Sequence, residues 1–142
     1  MRTVVVVGHG MVGHRLVEVA VERGLTADWQ IIVHAEEPVH AYDRVALTTW
    51  FAGASLGLAP VAPEHVDLRL GDPVTSVDTD ARTVTSAAGL VTPYDALVFA
   101  TGSVPFVPPV PGATGPARFV SRTLRDLAAI QASGGRRRAG VG

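Results

Sequence analysis

The chain contains no cysteine and no lysine, and these two absences remove several kinds of chemistry at once. Without cysteine there are no disulfides, thiolate nucleophiles, redox dithiols or cysteine-held iron–sulfur clusters. All twelve basic residues are arginine, so no lysine forms a Schiff base or grips phosphate as a P-loop lysine does. Charge is also scarce: charged residues make up 18% and the formal net charge is −1. Such a balance gives no broad pull on nucleic acid or an anionic membrane, and neither is expected as a partner. Arg136-Arg137-Arg138 is a local exception, read as a solvated cluster. Long apolar runs are missing too. The opening valines, Val4 to Val7, are too few for a signal-peptide core or a membrane span, and a cytoplasmic setting is expected.

What is present is a 142-residue chain, 47% hydrophobic, long enough for one globular domain with a buried sheet. Thr3 to Val7 is an uninterrupted β-branched run of the kind buried on both faces of a parallel sheet. Met11 to Arg23 places Leu16, Val19 and Ala20 at helical spacing, with Gly24 as its stop. Trp29 to Val33 is a second apolar strand, completing a strand–helix–strand unit. A short helix is expected from Val45 to Phe51. Val66 to Leu70, Val74 to Val77, Thr83 to Ser86 and Leu90 to Thr92 read as short strands of antiparallel material, the last two framing a hairpin turn. Ala96 to Ala100 returns to the buried type, the proline-rich stretch from Phe106 to Pro116 reads as a connector, and Thr123 to Ala132 as a helix ended by Ser133-Gly134-Gly135.

Gly8-His9-Gly10-Met11-Val12-Gly13 has the G-x-G-x-x-G spacing between a strand and a helix, the context in which it signals dinucleotide binding. Gly8 permits the tight turn, Gly10 lets the backbone approach a pyrophosphate, and Gly13 lets helix and sheet pack closely. The helix start at Met11 and Val12 then offers unpaired N–H groups to phosphate. Glu36, 23 positions after Gly13, stands where a carboxylate accepts hydrogen bonds from a ribose, with Glu37 the second choice. On these residues alone FAD and NAD are not separable, because both carry the same ADP moiety.

Tyr94-Asp95-Ala96-Leu97-Val98-Phe99-Ala100-Thr101-Gly102-Ser103, followed by Pro105, Pro108-Pro109 and Pro111-Gly112, resembles the FAD-dependent flavoproteins of the pyridine nucleotide–disulfide oxidoreductase type. More narrowly, Gly10-Met11-Val12-Gly13-His14-Arg15, Glu36-Glu37-Pro38, Ala41-Tyr42-Asp43-Arg44-Val45 and Arg122-Thr123-Leu124 look like the N-terminal FAD-binding region of the NAD(P)H-dependent nitrite reductase large subunit. Ferredoxin and rubredoxin reductases share the Tyr-Asp-Arg loop and the Ala-Thr-Gly-Ser turn, and so remain an alternative. The implied fold is α/β, a Rossmann-like FAD-binding domain with a parallel sheet and an inserted antiparallel hairpin, here incomplete.

The resemblance further implies that Gly8, Gly10, Met11, Val12 and Gly13 hold the FAD pyrophosphate and Glu36, with Glu37 beside it, the adenosine ribose. By the same likeness Val74 lies by the adenine, Arg44 and Thr48 approach the flavin, and Ala100, Thr101 and Gly102 close over the cofactor. NAD(P)H belongs to the complete enzyme, and the remaining reductase domains or an electron-acceptor protein are the expected partners. Residues 1–117 would be the FAD-binding part and 118–142 a connector helix leading into an NAD(P)H-binding part. A second glycine turn should follow the Arg136 cluster, yet the sequence stops at Gly140-Val141-Gly142, so a partial chain is expected, and a non-catalytic nucleotide-binding fragment is the rival reading. Where many relatives carry a lysine, this chain reads Leu47-Thr48-Thr49-Trp50. The five histidines, His9, His14, His34, His40 and His65, lack the spacing of a metal site; His9 and His14 are placed at the cofactor loop, and His14 is read as a helix-surface or packing residue in preference to a phosphate contact. No general acid or base is assigned.

Overall fold

The computed structural model describes residues 1–61, 64–113, 115 and 118–138. The valine run forms β1 (Arg2–Val7), the glycine loop follows, and α1 (Met11–Glu22) leads back to β2 (Trp29–His34). Gly24, just past α1, takes the left-handed conformation (φ 74°) that lets a helix end without a Cβ penalty. A short 3-10 turn at Leu25–Ala27 precedes β2, a longer 3-10 helix spans Val45–Ala52, and β3 (Val66–Arg69), β4 (Val74–Asp78), β5 (Thr83–Ser86), β6 (Val91–Pro93), β7 (Ala96–Phe99) and α2 (Leu124–Arg138) follow among the described residues.

Two sheets result. A four-stranded parallel sheet runs in the order β3-β2-β1-β7, and β4-β5-β6 form a separate antiparallel sheet. Alternation along the central strands explains how both faces of the parallel sheet are covered. Val4, Val6, Ile31 and Val33 face one way and pack with Val17 of α1, while Val5, Val7 and Ile32 face the other way and pack with Val84 of the antiparallel sheet. The α/β fold class with an inserted antiparallel element is therefore as expected, the insertion being a three-stranded sheet.

Two expectations need correction. Val66–Arg69 is not antiparallel material: it pairs in parallel with β2, Ile31 opposite Val66 and His34 opposite Arg69. Its polar alternation reflects its edge position, with Val66 and Leu68 on the helix-covered face and Asp67 exposed. The last helix does not stop at Ser133-Gly134-Gly135 but runs on to Arg138. Its start is well specified. The carboxylate of Asp126 accepts hydrogen bonds from the N–H groups of Arg122 and Thr123 (3.0 and 2.8 Å), and the Asp126 N–H donates back to Thr123 Oγ1 (3.2 Å), a reciprocal cap.

The chain divides into two compact units, Met1–Tyr42 with Gly57–Gly102, and Asp43–Leu56 with Ser103–Gly142. The first holds both sheets and α1, the second the 3-10 helix and α2.

Candidate functional site

In an open parallel sheet, ligands bind beyond the carboxyl ends of the strands where strand order reverses. Here that place is β1, flanked by β2 on one side and β7 on the other. The turn leaving β1 carries the glycine motif, and the turn leaving β7 carries Ala100-Thr101-Gly102. The two turns are in contact. Gly8 has φ +108°, and a Cβ there would overlap the Ala100 carbonyl. Its N–H donates to the His34 carbonyl oxygen at 2.8 Å, and the Ala100 N–H donates to the Val7 carbonyl oxygen at 2.8 Å. Gly13 sits on the other side of Gly8, where a Cβ would overlap the Gly8 carbonyl oxygen. Only glycine fits at either position, which brings the first turn of α1 close against the end of β1.

Gly10 is the N-cap, extended (φ −81°, ψ −167°), and its carbonyl oxygen accepts the His14 N–H at 2.9 Å. No side chain caps the helix and no acidic residue lies in its first turn. The N–H groups of Met11, Val12 and Gly13 precede the first intrahelical hydrogen bond, so they form a cluster of donors suited to an anion, backed by the helix dipole.

The two candidate carboxylates at the end of β2 separate clearly. Glu37 accepts a hydrogen bond from the Tyr42 hydroxyl at 2.8 Å, whereas Glu36 is exposed and takes part in none of the described hydrogen bonds. Ala35 between them and the strand is fixed by its N–H to the Arg69 carbonyl oxygen (2.9 Å) and its carbonyl to the Asp72 N–H (3.0 Å). Val74 opens β4 at a bulge and packs against the cluster of Val5, Val7, Ile32 and Val84. Gly8, Gly10, Met11, Val12, Gly13, Glu36, Glu37, Val74, Ala100, Thr101 and Gly102 thus all belong to the first unit.

Arg44 and Thr48 belong to the second unit. Arg44 donates from Nη1 to the Arg122 carbonyl oxygen at 2.9 Å, tying the start of the 3-10 helix to the approach to α2. Asp43 is occupied as the cap of that 3-10 helix, accepting from the N–H groups of Val45 (2.8 Å) and Ala46 (3.3 Å). Thr48 is exposed.

Around the loop lie His9 and His14, and a third histidine that sequence spacing did not bring to them. His9 packs edge-on against His14, ring centroids 5.5 Å apart, and His40 is near enough to act on His9 although 31 positions separate them. Burial first, then the neighbouring His14 and His40, together lower His9 from 6.5 to about 4. His14 is 5% exposed, the packing role expected of it. Beneath the loop, His34 is 1% exposed; its Nδ1–H donates to the Asp72 carbonyl oxygen (3.0 Å), so Nε2 accepts from Arg69 Nη1 (3.3 Å), which also donates to Thr92 Oγ1 (2.8 Å). Among the described residues no group of three histidine, aspartate or glutamate side chains is placed to hold a metal ion, and no helix is long and apolar enough to cross a membrane.

Residues 2–141 match the family described as pyridine nucleotide-disulphide oxidoreductase. The chain is 48% identical, over 96% of its length, to the nitrite reductase [NAD(P)H] large subunit of Klebsiella oxytoca, and 34% identical, again over 96%, to the nitrite reductase (NADH) large subunit of Escherichia coli K12. It spans only 15% and 17% of those two proteins. Among solved structures, a ferredoxin reductase from Rhodopseudomonas palustris superposes with a TM-score of 0.79 at 26% identity, covering 93% of this chain and 34% of that one. Glycine loop, switch point and sequence agree: the chain belongs to the pyridine nucleotide-disulphide oxidoreductase family.

Proposed function

We propose that this chain is the FAD-binding part of an NAD(P)H-dependent flavoprotein oxidoreductase of the nitrite reductase large-subunit kind, and that other segments supply the NAD(P)H site and the electron acceptor. The observation that carries this reading is the seating of Gly8 against Ala100 and of Gly13 against Gly8, which leaves uncapped backbone donors at the switch point of a parallel sheet. In this reading the N–H groups of Met11, Val12 and Gly13 hold the pyrophosphate, and Gly10 lets the backbone approach it without a side chain in the way. Glu36 takes the adenosine ribose, its carboxylate free while Glu37 is engaged by Tyr42. Val74 lies by the adenine, Thr101 and Gly102 close over the ligand, and Arg44 and Thr48 serve the flavin side. Residues 1–117 would then be the FAD-binding part and 118–142 the lead into the NAD(P)H-binding part.

When bound, FAD would supply the hydride-accepting and electron-passing chemistry. The chain's own work is orientation: donors fixed on a helix end, a carboxylate fixed at a strand end, and a dry sheet beneath them. Siroheme and iron–sulfur ligation need cysteine, so a nitrite-reducing centre would lie outside these residues. The likeness to a ferredoxin reductase supports a second version, in which the acceptor is a small iron–sulfur protein. The work belongs in the cytoplasm, where pyridine nucleotides are held. Titration of the folded chain with FAD tests the reading: saturable binding with a perturbed flavin absorption band supports it. Equal or stronger competition by NADH would instead identify the loop as a nicotinamide dinucleotide site.

A further inference from the structure

The glycine loop carries two imidazoles that phosphate binding by backbone donors does not use. His9 lies within the loop, between Gly8 and Gly10, and is half-buried, while His14 is buried on the first turn of α1. Their rings meet edge to face, 5.5 Å apart at 68°. Nδ1 of each is buried with no hydrogen-bond partner among the described residues. Buried ring nitrogens are ordinarily satisfied, and two orphans side by side at a ligand loop call for an explanation. Burial acts most strongly on His9, then His14 from α1, then His40 from the segment after β2, and together they lower its pKa to about 4. The nearest acid to register is Glu18, one α1 turn on, and it acts on His14. No carboxylate is among the groups that shift His9, and the helix end beside it has neither an acidic first turn nor a side-chain cap.

We infer that His9, packed against His14, couples phosphate binding to proton uptake: a pyrophosphate-bearing ligand enters the glycine loop together with a proton on His9, and its affinity rises as pH falls below neutrality. The inference rests on the function proposed for the loop. A dianionic ligand at the loop places negative charge beside His9 and opposes the burial and the neighbouring imidazoles that disfavour its imidazolium, so the protonated form gains when the ligand binds. The sign follows from linkage: the bound state holds more protons than the free state, so lower pH favours binding.

Calorimetric titration of the full chain with FAD at about pH 7.5 and about pH 5.5, in buffers of different ionisation enthalpy, tests this directly. The pyrophosphate diester of FAD does not titrate over that interval. If the ligand restores His9 to its ordinary value of 6.5, affinity rises about tenfold between the two pH values and uptake approaches about one proton at the lower. His9→Asn should flatten the pH dependence, and an NMR titration of the His9 ring with and without FAD reads the same coupling in the unaltered chain. Saturable FAD binding with no proton uptake, or uptake that persists in His9→Asn, overturns this inference and leaves the loop's proposed function standing. A folded chain that binds no FAD at either pH overturns both.

Discussion

At position 13 a methyl group has nowhere to go, because the Gly8 carbonyl oxygen already occupies its place. The neighbour is backbone, not a side chain that can swing aside. Gly13→Ala should therefore push α1 off the end of β1, destabilise the fold by about 1–3 kcal/mol and weaken any dinucleotide binding, as urea denaturation and FAD titration would show. At Gly8 overlap with Ala100 and a φ of +108° combine, so Gly8→Ala should be the more damaging of the two. A second residue-scale effect concerns acid. Because the folded chain holds His9 near 4 against 6.5 when unfolded, the unfolded state binds the extra proton first. Its contribution is complete above about pH 6.5 and is lost as pH falls towards about 4. Denaturation midpoints of the ligand-free chain measured at several pH values should fall across this window, and His9→Asn should fall less.

Among the elements, the antiparallel sheet is joined to the end of β2 by one polar network, in which Arg69 donates to both His34 and Thr92. Removing it leaves a buried imidazole nitrogen and a buried hydroxyl without that donor, which costs about 1–3 kcal/mol. Arg69→Ala should lower amide exchange protection in β5 and β6 more than in β1. Asp72, at the same junction, is held below the usual carboxylate range chiefly by the Ala88 N–H, so the support it gives is present at neutral pH and lost only in strong acid. In α2 the glycine at 134 has open space around it and lies inside the helix, so Gly134→Ala should stabilise the helix by about 1 kcal/mol, visible as increased helical signal on heating. The end of this helix was hidden in the sequence for the same reason: Ser133-Gly134-Gly135 has the local chemistry of a stop, and only the observed continuation overrides it. β3 was hidden differently. An edge strand of a parallel sheet has one poorly covered face, so Val66-Asp67-Leu68-Arg69 alternates like a strand of an antiparallel sheet.

At the scale of the molecule, the glycine loop and the turn after β7 could each be read from strand-then-glycine patterns, although β7 is a half-buried edge strand with Phe99 exposed and not the buried strand its apolar run suggested. Their contact could not be read, since it depends on β7 lying beside β1, 92 positions away in the Val4 to Ala96 pairing. The approach of His40 to His9 was hidden for the same reason: it is set by how the segment after β2 folds back, not by spacing. The hydrogen bond from the Tyr42 hydroxyl to Glu37, which distinguishes it from exposed Glu36, emerged only in three dimensions. The most direct test of a dinucleotide crevice at this switch point is an amide proton–nitrogen NMR spectrum of the chain recorded with increasing FAD. Shifts concentrated at Gly8 to Gly13, Glu36 and Ala100 to Gly102 are the predicted result. Saturable shifts that spare these three segments, or a folded spectrum that FAD leaves unchanged, would contradict it.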